Sequence, residues 1–289
     1  MNEYRLVITN SFGDSIDLWS DPDVVVTSIS GVSIDAEVNT MDLGGTADGS
    51  SYLSSQVKER EISLVLQYHQ SIGTSEAAKL RVYRIFRPKT QLNIRYISPN
   101  QDKYINGYVS KCDTPPTTFP MVTQIIVKAP DPYWRTFDNN QTLLCGISPA
   151  FEFINHGTEL NRVEFSITKN SFLTGISYNG DAESGITAVY EILSPVSMLG
   201  LRNVGHNQTL KINADFREGD ILTICTIPKH KKVTLQRDAE KFDYLVNMTP
   251  GSRFPLLYPG ENIIEVLISG GTVASINVTG SYETLFGGV

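Results

Sequence analysis

Four histidines and three cysteines are the residues of this sequence whose types most often carry chemistry. They are His69, His156, His206, His230, Cys112, Cys145 and Cys225. No pair has the spacing of a zinc motif such as HExxH or CxxC, so the sequence predicts no metal site. Because the cysteines are odd in number and far apart, we expect buried structural thiols and no disulfide framework.

Motifs for catalysis are missing as well. The sequence contains no GxSxG elbow and no glycine-rich phosphate loop that opens a helix. Glu240 and Asp243 have a spacing that a glycosidase could use, but such carboxylates on a strand-rich surface are ordinarily solvated charges. We therefore predict that the chain is not an enzyme, with no catalytic residue and no cofactor.

Length and composition indicate an ordinary globular chain with two domains. The 289 residues, 40% hydrophobic and 19% charged, exceed the size at which a single core keeps growing. No apolar run approaches the roughly 20 residues of a membrane helix. The first residues, MNEYRLVITN, resemble no secretory signal, so we expect a protein that makes no membrane contact and folds in a cytoplasm.

Charge is unevenly distributed along the first part of the chain. Residues 1–57 carry nine acids and one base, a net charge of −8, whereas residues 58–95 carry eight bases and three acids, a net charge of +5. Two interpretations are open: the two surfaces neutralise each other within one fold, or the acidic face of one subunit meets the basic face of the next in a ring. The second makes Arg81, Arg84 and Arg87 the candidate inter-subunit contacts.

These residues must be positioned by a fold that is mainly β. In the first half, β-branched or alternating segments predict strands at 4–9, 23–29, 32–38, 61–68, 91–96, 103–111 and 121–128. One helix is predicted between an N-cap at Thr74-Ser75 and the stop at Pro88. Its buried face would contain Ala78, Val82, Ile85 and Phe86. Residues 42–57 are Gly/Ser-rich and too long for a tight hairpin, so we expect a protruding arm near 42–60.

The second half has no convincing helix. Strands are predicted at 151–154, 163–168, 189–193, 210–212, 221–226, 232–235, 263–269 and 274–279. Strands of this number, separated by turns such as Gly219-Asp220, predict a β-sandwich or jelly roll.

The stretch KAPDPYWRTF, residues 128–137, predicts a domain boundary. Two prolines stiffen the chain into an extended form, and the aromatic pair after them is expected to pack against a domain. The boundary residues are Pro130, Asp131, Pro132, Tyr133 and Trp134. We therefore predict domains at 1–134 and 135–289.

Two motifs and their order carry a resemblance to a known family. The stronger elements are Ala129-Pro130-Asp131-Pro132-Tyr133-Trp134, and Gly251-Ser252-Arg253-Phe254 followed by Leu257, Pro259-Gly260 and Asn262. The weaker ones are Gly49 with Arg60-Glu61-Ile62, and Gly219-Asp220 with Ile221 and Leu222. Over nearly the whole chain, this order resembles the distal tail (Dit) protein family of siphophages that infect Gram-positive bacteria.

The resemblance implies a structural protein of the virion, placed at the distal end of the tail and assembled in the host cytoplasm. The first domain would form a hexameric belt around a channel that lets DNA pass, and the second would be a galectin-like β-sandwich for docking. Implied partners are five further copies, the major tail tube protein, a tail-tip or tail-associated lysin protein, and receptor-binding or baseplate proteins. Residues 1–134 contain 12 bases and 15 acids, so we expect no tight binding of nucleic acid.

Two alternatives stay open at this point. A jelly-roll sandwich is also a common frame for a carbohydrate-binding module that recognises host cell-wall polysaccharide. Against it, the chain has only two tryptophans, Trp19 and Trp134, and no clustered aromatic platform in residues 140–289. A polysaccharide-degrading tail enzyme is the other alternative, and it lacks a catalytic constellation.

Overall fold

The computed structural model describes residues 4–42, 44, 48–68, 72–116, 120–137, 140–149, 166–169 and 171–289. The chain divides into two compact units, residues 1–137 with 285–289, and residues 138–284. The first unit contains helix α1 (Ile72–Ile85) and strands β1 (Arg5–Asn10), β2 (Ser15–Asp17), β3 (Val24–Ser30), β4 (Ala36–Asp42), β5 (Ser50–Val57), β6 (Arg60–Tyr68), β7 (Gln91–Ser98), β8 (Gln101–Asp113), β9 (Val122–Ala129) and β10 (Trp134–Thr136).

The second unit contains β11 (Asn140–Pro149), β12 (Ser166–Lys169), β13 (Leu173–Tyr178), β14 (Ser184–Ile192), β15 (Val196–Asn203), β16 (Gln208–Phe216), β17 (Ile221–Cys225), β18 (Lys232–Arg237), β19 (Glu240–Asp243), β20 (Leu256–Leu257), β21 (Gly260–Ser269) and β22 (Ile276–Tyr282). Two short 3₁₀ turns, Leu245–Asn247 and Val273–Ser275, complete it. The last strand, β23 (Leu285–Phe286), belongs to the first unit.

One antiparallel sheet organises the first unit, in the order β2-β1-β7-β8-β9-β6-β3. Strand β10 adds to the same sheet by pairing with β8 and β23. Side chains alternate between buried and partly exposed along β6, so one face of the sheet packs into a core. Helix α1 contributes Ala78, Val82 and Ile85 to that core, and Phe86 joins them directly after its end; these are the four residues predicted for the buried face.

The predicted start of the helix is wrong. Helix α1 begins at Ile72, so Thr74 and Ser75 lie within its first turn and do not cap it from outside. The side chain of Ser75 is buried. Tertiary packing therefore outweighs the local preference of Ser and Thr for the N-cap position.

Strands β4 and β5 form a two-stranded antiparallel ribbon that belongs to none of the larger sheets. Its pairing runs from Ala36 opposite Val57 to Asp42 opposite Ser50, with an irregularity between Asn39 and Thr40. Every side chain of β4 is exposed. We call this ribbon the arm.

The second unit is a β-sandwich. One sheet has the order β12-β11-β22-β14-β17-β18-β19, with β20 paired to β14, and the other has the order β13-β21-β15-β16. Buried side chains from both sheets, such as Tyr190 and Leu222 from one and Leu201 and Ile264 from the other, share a single hydrophobic core. A mainly β fold with one α-helix and a β-sandwich is thus confirmed among the described residues, although predicted strand 151–154 and residues 163–165 lie outside them.

Candidate functional site: surfaces for assembly

Among the described residues, the side chains that could carry chemistry are dispersed. His206 stacks on Tyr258 with ring centroids 3.7 Å apart, and His230 is exposed, while His69 and His156 lie outside the described residues. Within the described part of the chain, no group of three or more His, Cys, Asp or Glu side chains is placed to hold a metal ion. Asp243 uses its carboxylate to accept a hydrogen bond from Leu245 N at 2.9 Å.

None of the three cysteines forms a disulfide bond. Cys145 and Cys225 are buried, and Cys112 is half-buried. Burial, with a smaller contribution from the neighbouring Asp113 carboxylate, raises the pKa of the Cys112 thiol to about 12. A thiol with such a pKa is protonated at neutral pH and is a poor nucleophile.

Two cavities bear on a possible ligand site. A cavity of about 390 Å³ in the second unit has Val196 and Phe216 in its wall, with Asp215 and Arg217 beside them. A cavity of about 210 Å³ at the base of the arm is lined by charged and backbone groups, including those of Arg60. Neither wall contains a histidine or a cysteine.

The predicted boundary stretch is built into the first unit, which continues to residue 137. Pro132 and Trp134 are buried, and the Trp134 indole donates a hydrogen bond to Val32 O at 3.0 Å. Tyr133 is half-buried, and Tyr133 N donates to the Asp131 carboxylate at 3.4 Å. The stretch therefore attaches the end of β9 to the core of its own unit.

Residues 285–289 return to the same place. Strand β23 pairs with β10, so that Trp134 lies opposite Phe286 and Arg135 lies opposite Leu285. The chain thus passes from the first unit to the second and back again through two paired strands.

Two buried cations hold this returning segment. Arg60 donates from Nη2 to Gly287 O at 2.7 Å, and Lys103 donates from Nζ to Gly288 O at 3.1 Å. Lys103 Nζ also lies 3.9 Å from the centroid of the Phe286 ring. Burial lowers the pKa of the Arg60 guanidinium, and its contacts with carbonyl oxygens offset part of the cost of burying its charge.

The three arginines predicted as inter-subunit contacts are exposed: Arg81 and Arg84 on α1, and Arg87 just after its end. Arg81 forms an ion pair with Asp21 at 2.7 Å, and Arg84 forms one with Asp14 at 3.2 Å. These pairs join the basic helix to the acidic segment 1–57 of the same chain. They match the interpretation in which the two surfaces neutralise each other within one fold.

Apolar side chains accompany the arginines on this surface. The Phe12 side chain is 70% exposed, and the Arg87 guanidinium lies 5.7 Å from its ring centroid. Leu80 is also exposed on the helix. The surface therefore combines cations with apolar groups, a combination that is common at protein interfaces.

The arm is a second surface with exposed apolar groups. Four of its large apolar side chains are between 55% and 64% exposed: Val38, Met41, Tyr52 and Leu53. Single exposed apolar residues are ordinary on a protein surface. Four exposed apolar side chains on one ribbon are typical of a surface that contacts another molecule. The arm thus offers apolar area that its own chain leaves uncovered.

In the second unit, the motif from Gly251 to Asn262 forms a strap across both sheets of the sandwich. Arg253 N donates to Thr209 O of β16 at 2.7 Å, while β20 pairs with β14 of the other sheet. The Asn262 side chain closes the strap, because it accepts from Tyr258 N at 3.0 Å and donates to Tyr258 O at 2.7 Å. This motif therefore has a structural role, because it connects the two sheets of the sandwich.

Comparison with known proteins supports the same family that the motifs resemble. Residues 179–285 match the model of the siphovirus-type tail component, C-terminal domain. Comparison with curated protein sequences gives no match. Among the described residues, no helix is long and apolar enough to cross a membrane.

Two solved structures with the same fold are phage proteins. The SPP1 Dit protein (gp 19.1), described as a paradigm of the hub adsorption apparatus in phages infecting Gram-positive bacteria, matches with a TM-score of 0.67 and 12% identity, over 97% of this chain and 99% of that chain. A chain of the phage P2 baseplate in its activated conformation with Ca matches with a TM-score of 0.50 and 9% identity, over 97% and 98%. The resemblance to the distal tail family is confirmed.

Proposed function

We propose that this chain, a siphovirus-type tail component with the fold of distal tail proteins, forms a hexameric ring that joins the tail tube to the baseplate or tail-tip proteins. Residues 1–134 form the belt of this ring, and residues 135–289 form a docking domain. The family model and the shared fold support a structural tail role.

The arm is the observation that carries the proposal. In a monomer, the exposed apolar side chains on both strands of the ribbon lower the solubility of the protein. In the ring, a neighbouring copy covers these side chains. Each of the six arms then contacts the next subunit. Burial of Val38 and Tyr52 supplies apolar contact area that exposed ion pairs do not.

Arg81, Arg84 and Arg87 are proposed as secondary contacts of the ring. Their side chains lie at the surface even though two of them pair within the chain. A neighbouring carboxylate can share such an exposed guanidinium, at a gain of roughly 0–1 kcal/mol per pair. We assign them to steering and orientation of subunits more than to affinity.

The proposed ring surrounds a channel for DNA, and its partners are the major tail tube protein on one side and a tail-tip or tail-associated lysin protein on the other. Receptor-binding or baseplate proteins attach to the docking domain. A lumen lined by acidic or neutral residues lets the duplex pass, since basic groups would hold it by counterion release. We expect no measurable binding of duplex DNA at physiological salt, which an anisotropy titration checks.

The mass of the purified protein tests the ring. Native mass spectrometry, with and without the tail-tip partner, should give six copies per particle. The double substitution Val38→Ser with Tyr52→Ser should convert the hexamer to smaller species. Leu173→Ser, at a residue 50% exposed on β13 of the second unit, is the matched control and should leave six copies. A monomer under all conditions would reject the proposal.

A further inference from the structure

Strand β19 is an exposed edge of the larger sheet of the sandwich. It is the last strand in the sheet order, it pairs with β18, and all four of its side chains are exposed. A two-residue turn joins the two strands: Asp238 and Ala239 have φ values of +50° and +68°, as in a type I′ hairpin. This turn fixes the register, in which Leu235 lies opposite Phe242.

The hairpin also determines where the backbone groups of β19 point. In an antiparallel pair of strands, hydrogen-bonded and non-hydrogen-bonded pairs of residues alternate. Tyr244 N donates to Val233 O at 2.9 Å, so Phe242, two residues earlier, directs its N–H and C=O toward β18. Lys241 and Asp243 therefore direct their N–H and C=O away from the sheet. No backbone hydrogen bond from the described part of the chain reaches these groups.

The edge strand of the other sheet is covered. Hydrogen bonds from Thr249 N to Lys211 O at 2.9 Å and from Arg253 N to Thr209 O at 2.7 Å run along the outer side of β16. Uncovered backbone groups on an edge are a template for pairing with another strand. Strand β16 is thus protected from such pairing by its own chain, whereas β19 is not.

An aromatic side chain lies on the core-facing side of the β19 edge. Residues directly opposite each other in a sheet have side chains on the same face, and Leu235, the partner of Phe242, is buried in the core of the sandwich. The Phe242 side chain is nevertheless 42% exposed. Leu245 and Val246 follow closely in the chain, and both are exposed. The edge therefore combines unpaired backbone groups with uncovered apolar area.

We propose that β19 pairs antiparallel with β19 of a second copy of the chain, with Phe242 on the two-fold axis. In this register, Phe242 lies opposite Phe242 of the partner subunit, and Lys241 lies opposite Asp243 of the partner subunit. The two-fold axis generates the second contact twice, so both charges meet the opposite sign. Within their own sheet, Lys241 and Asp243 lie opposite the neutral side chains of Gln236 and Thr234.

The pairing satisfies backbone groups as well as side chains. Lys241 and Asp243 of the partner subunit form a hydrogen-bonded pair, because both direct their N–H and C=O outward. The two Phe242 side chains belong to a non-hydrogen-bonded pair, in which side chains approach more closely. Charges on an edge ordinarily oppose pairing with another strand, but here they select the register in which opposite signs meet.

This contact is small and goes beyond the proposed ring. Strands of four residues bury less area than a stable dimer needs, so the association of two single copies is weak. Neighbouring copies in one six-fold ring are not related by a two-fold axis. The contact therefore joins copies that belong to different rings or to no ring.

Disulfide formation in the full chain tests the register. A residue on the two-fold axis lies opposite itself, with Cα atoms about 4.5 Å apart in a non-hydrogen-bonded pair, a distance that a disulfide spans. Phe242→Cys should therefore give a covalent dimer under mild oxidation. Val246→Cys is the control, because Val246 is 88% exposed but lies away from the axis. The wild-type chain, whose three cysteines are buried or half-buried, is the blank.

Charge reversal in the Phe242→Cys chain supplies the second test. Lys241→Asp places an acid opposite Asp243 of the partner subunit and should lower the yield of dimer about tenfold. Asp243→Lys places two bases opposite each other and should do the same. An equal mixture of the two variants should regain most of the yield, with one chain of each variant in every dimer.

Proline separates the outer contact from the fold of the hairpin. The Lys241 N–H points away from β18, so Lys241→Pro in the Phe242→Cys chain removes an outward donor and no bond of the sheet. This variant should retain the circular dichroism spectrum of the parent chain and lose the dimer.

The outcomes separate this inference from the proposed ring. A dimer yield at Val246→Cys that equals the yield at Phe242→Cys overturns the inference, as does a yield that neither charge reversal nor proline changes. Both results leave the ring standing, because the mass of the assembled protein tests the ring. A chain that never assembles into six copies rejects the ring but not this contact, which needs only two copies.

Discussion

Arg237 donates two hydrogen bonds to the carboxylate of Asp220, from Nε at 2.8 Å and from Nη2 at 2.5 Å. The Asp220 carboxylate also accepts from Arg217 N at 2.8 Å, which closes the turn between β16 and β17. The Asp220 side chain is almost fully buried. The hydrogen bonds from Arg237 hold the pKa of Asp220 below its ordinary value, and backbone bonding adds to the effect.

Replacing Asp220 should destabilise the second unit in a pH-dependent manner. We expect Asp220→Asn to lower the free energy of unfolding by about 2 kcal/mol at pH 7, the usual scale for a hydrogen bond to a charged group. Because the folded-state pKa is depressed, the stabilisation is present above the unfolded-state pKa of about 3.9 and is lost as the pH falls through the lower folded-state value. The difference between the two proteins should therefore shrink below about pH 4.

Urea unfolding followed by far-ultraviolet circular dichroism at several pH values measures this effect. Both tryptophans, Trp19 and Trp134, belong to the first unit, so tryptophan fluorescence follows that unit separately. Asp215→Asn, at an exposed residue near the same turn, is the control and should change stability by less than about 0.5 kcal/mol. A constant difference at every pH would contradict the assignment.

Gly31 should resist substitution because of its position at the base of the arm. Its φ is +77°, and a Cβ atom there would lie 1.9 Å from Glu61 O in β6. Gly13 has a similar φ of +88° but no atom within 4 Å of that position. We expect Gly13→Ala to cost about 1 kcal/mol, and Gly31→Ala to cost more than about 3 kcal/mol, because the backbone of β6 must move. Equal costs in urea unfolding, followed by tryptophan fluorescence, would show that the close approach is unimportant.

Removing residues 285–289 should expose the core around β10. The Trp134 side chain is 1% exposed and pairs across to Phe286, and Arg60 loses its bond to Gly287 O in the shortened chain. We expect a red shift of tryptophan emission and a loss of roughly 3 kcal/mol in the stability of the first unit. The measurement uses Trp19→Phe as background, so that Trp134 is the only emitter. An unshifted spectrum would mean that the returning segment does not cover the indole.

Reversing charge on helix α1 distinguishes contacts within a copy from contacts between copies. Arg81→Glu with Arg84→Glu removes the ion pairs to Asp21 and Asp14, which should cost roughly 1 kcal/mol of stability in total. If the arginines also contact a neighbour, association should weaken more at low salt than at high salt. Sedimentation at two salt concentrations checks this, with Arg5→Glu as a control that breaks one ion pair to Asp17 away from the helix. An unchanged hexamer at both concentrations would leave the arginines with an internal role only.

Local patterns in the sequence were sufficient to predict the strand-rich fold and the buried face of the helix. Alternation along β6 and the spacing of Ala78, Val82 and Ile85 follow directly from the geometry of each element. The Gly/Ser-rich segment indicated an arm, although its strands extend back to Ala36, where the sequence suggested the end of an earlier strand. Composition therefore located the arm, but its pairing depends on the opposite strand.

Contacts between distant residues could not be predicted in the same way. Strand β23 has only two residues, and its partner Trp134 lies about 150 positions earlier, so no local pattern signals the pairing. The charge of segments 1–57 and 58–95 suggested attraction between them, but pairing Arg81 with Asp21 requires the tertiary fold.

The pairing of β10 with β23 makes the second unit an inserted module. The strands that lead into and out of residues 138–284 are hydrogen-bonded neighbours, so their Cα atoms lie about 5 Å apart. A recombination event that replaces the coding sequence of this block with that of another domain, whose own ends are similarly close, preserves every strand pair of the first unit. Evolution can thus exchange the second unit while the sheet of the first unit stays unchanged.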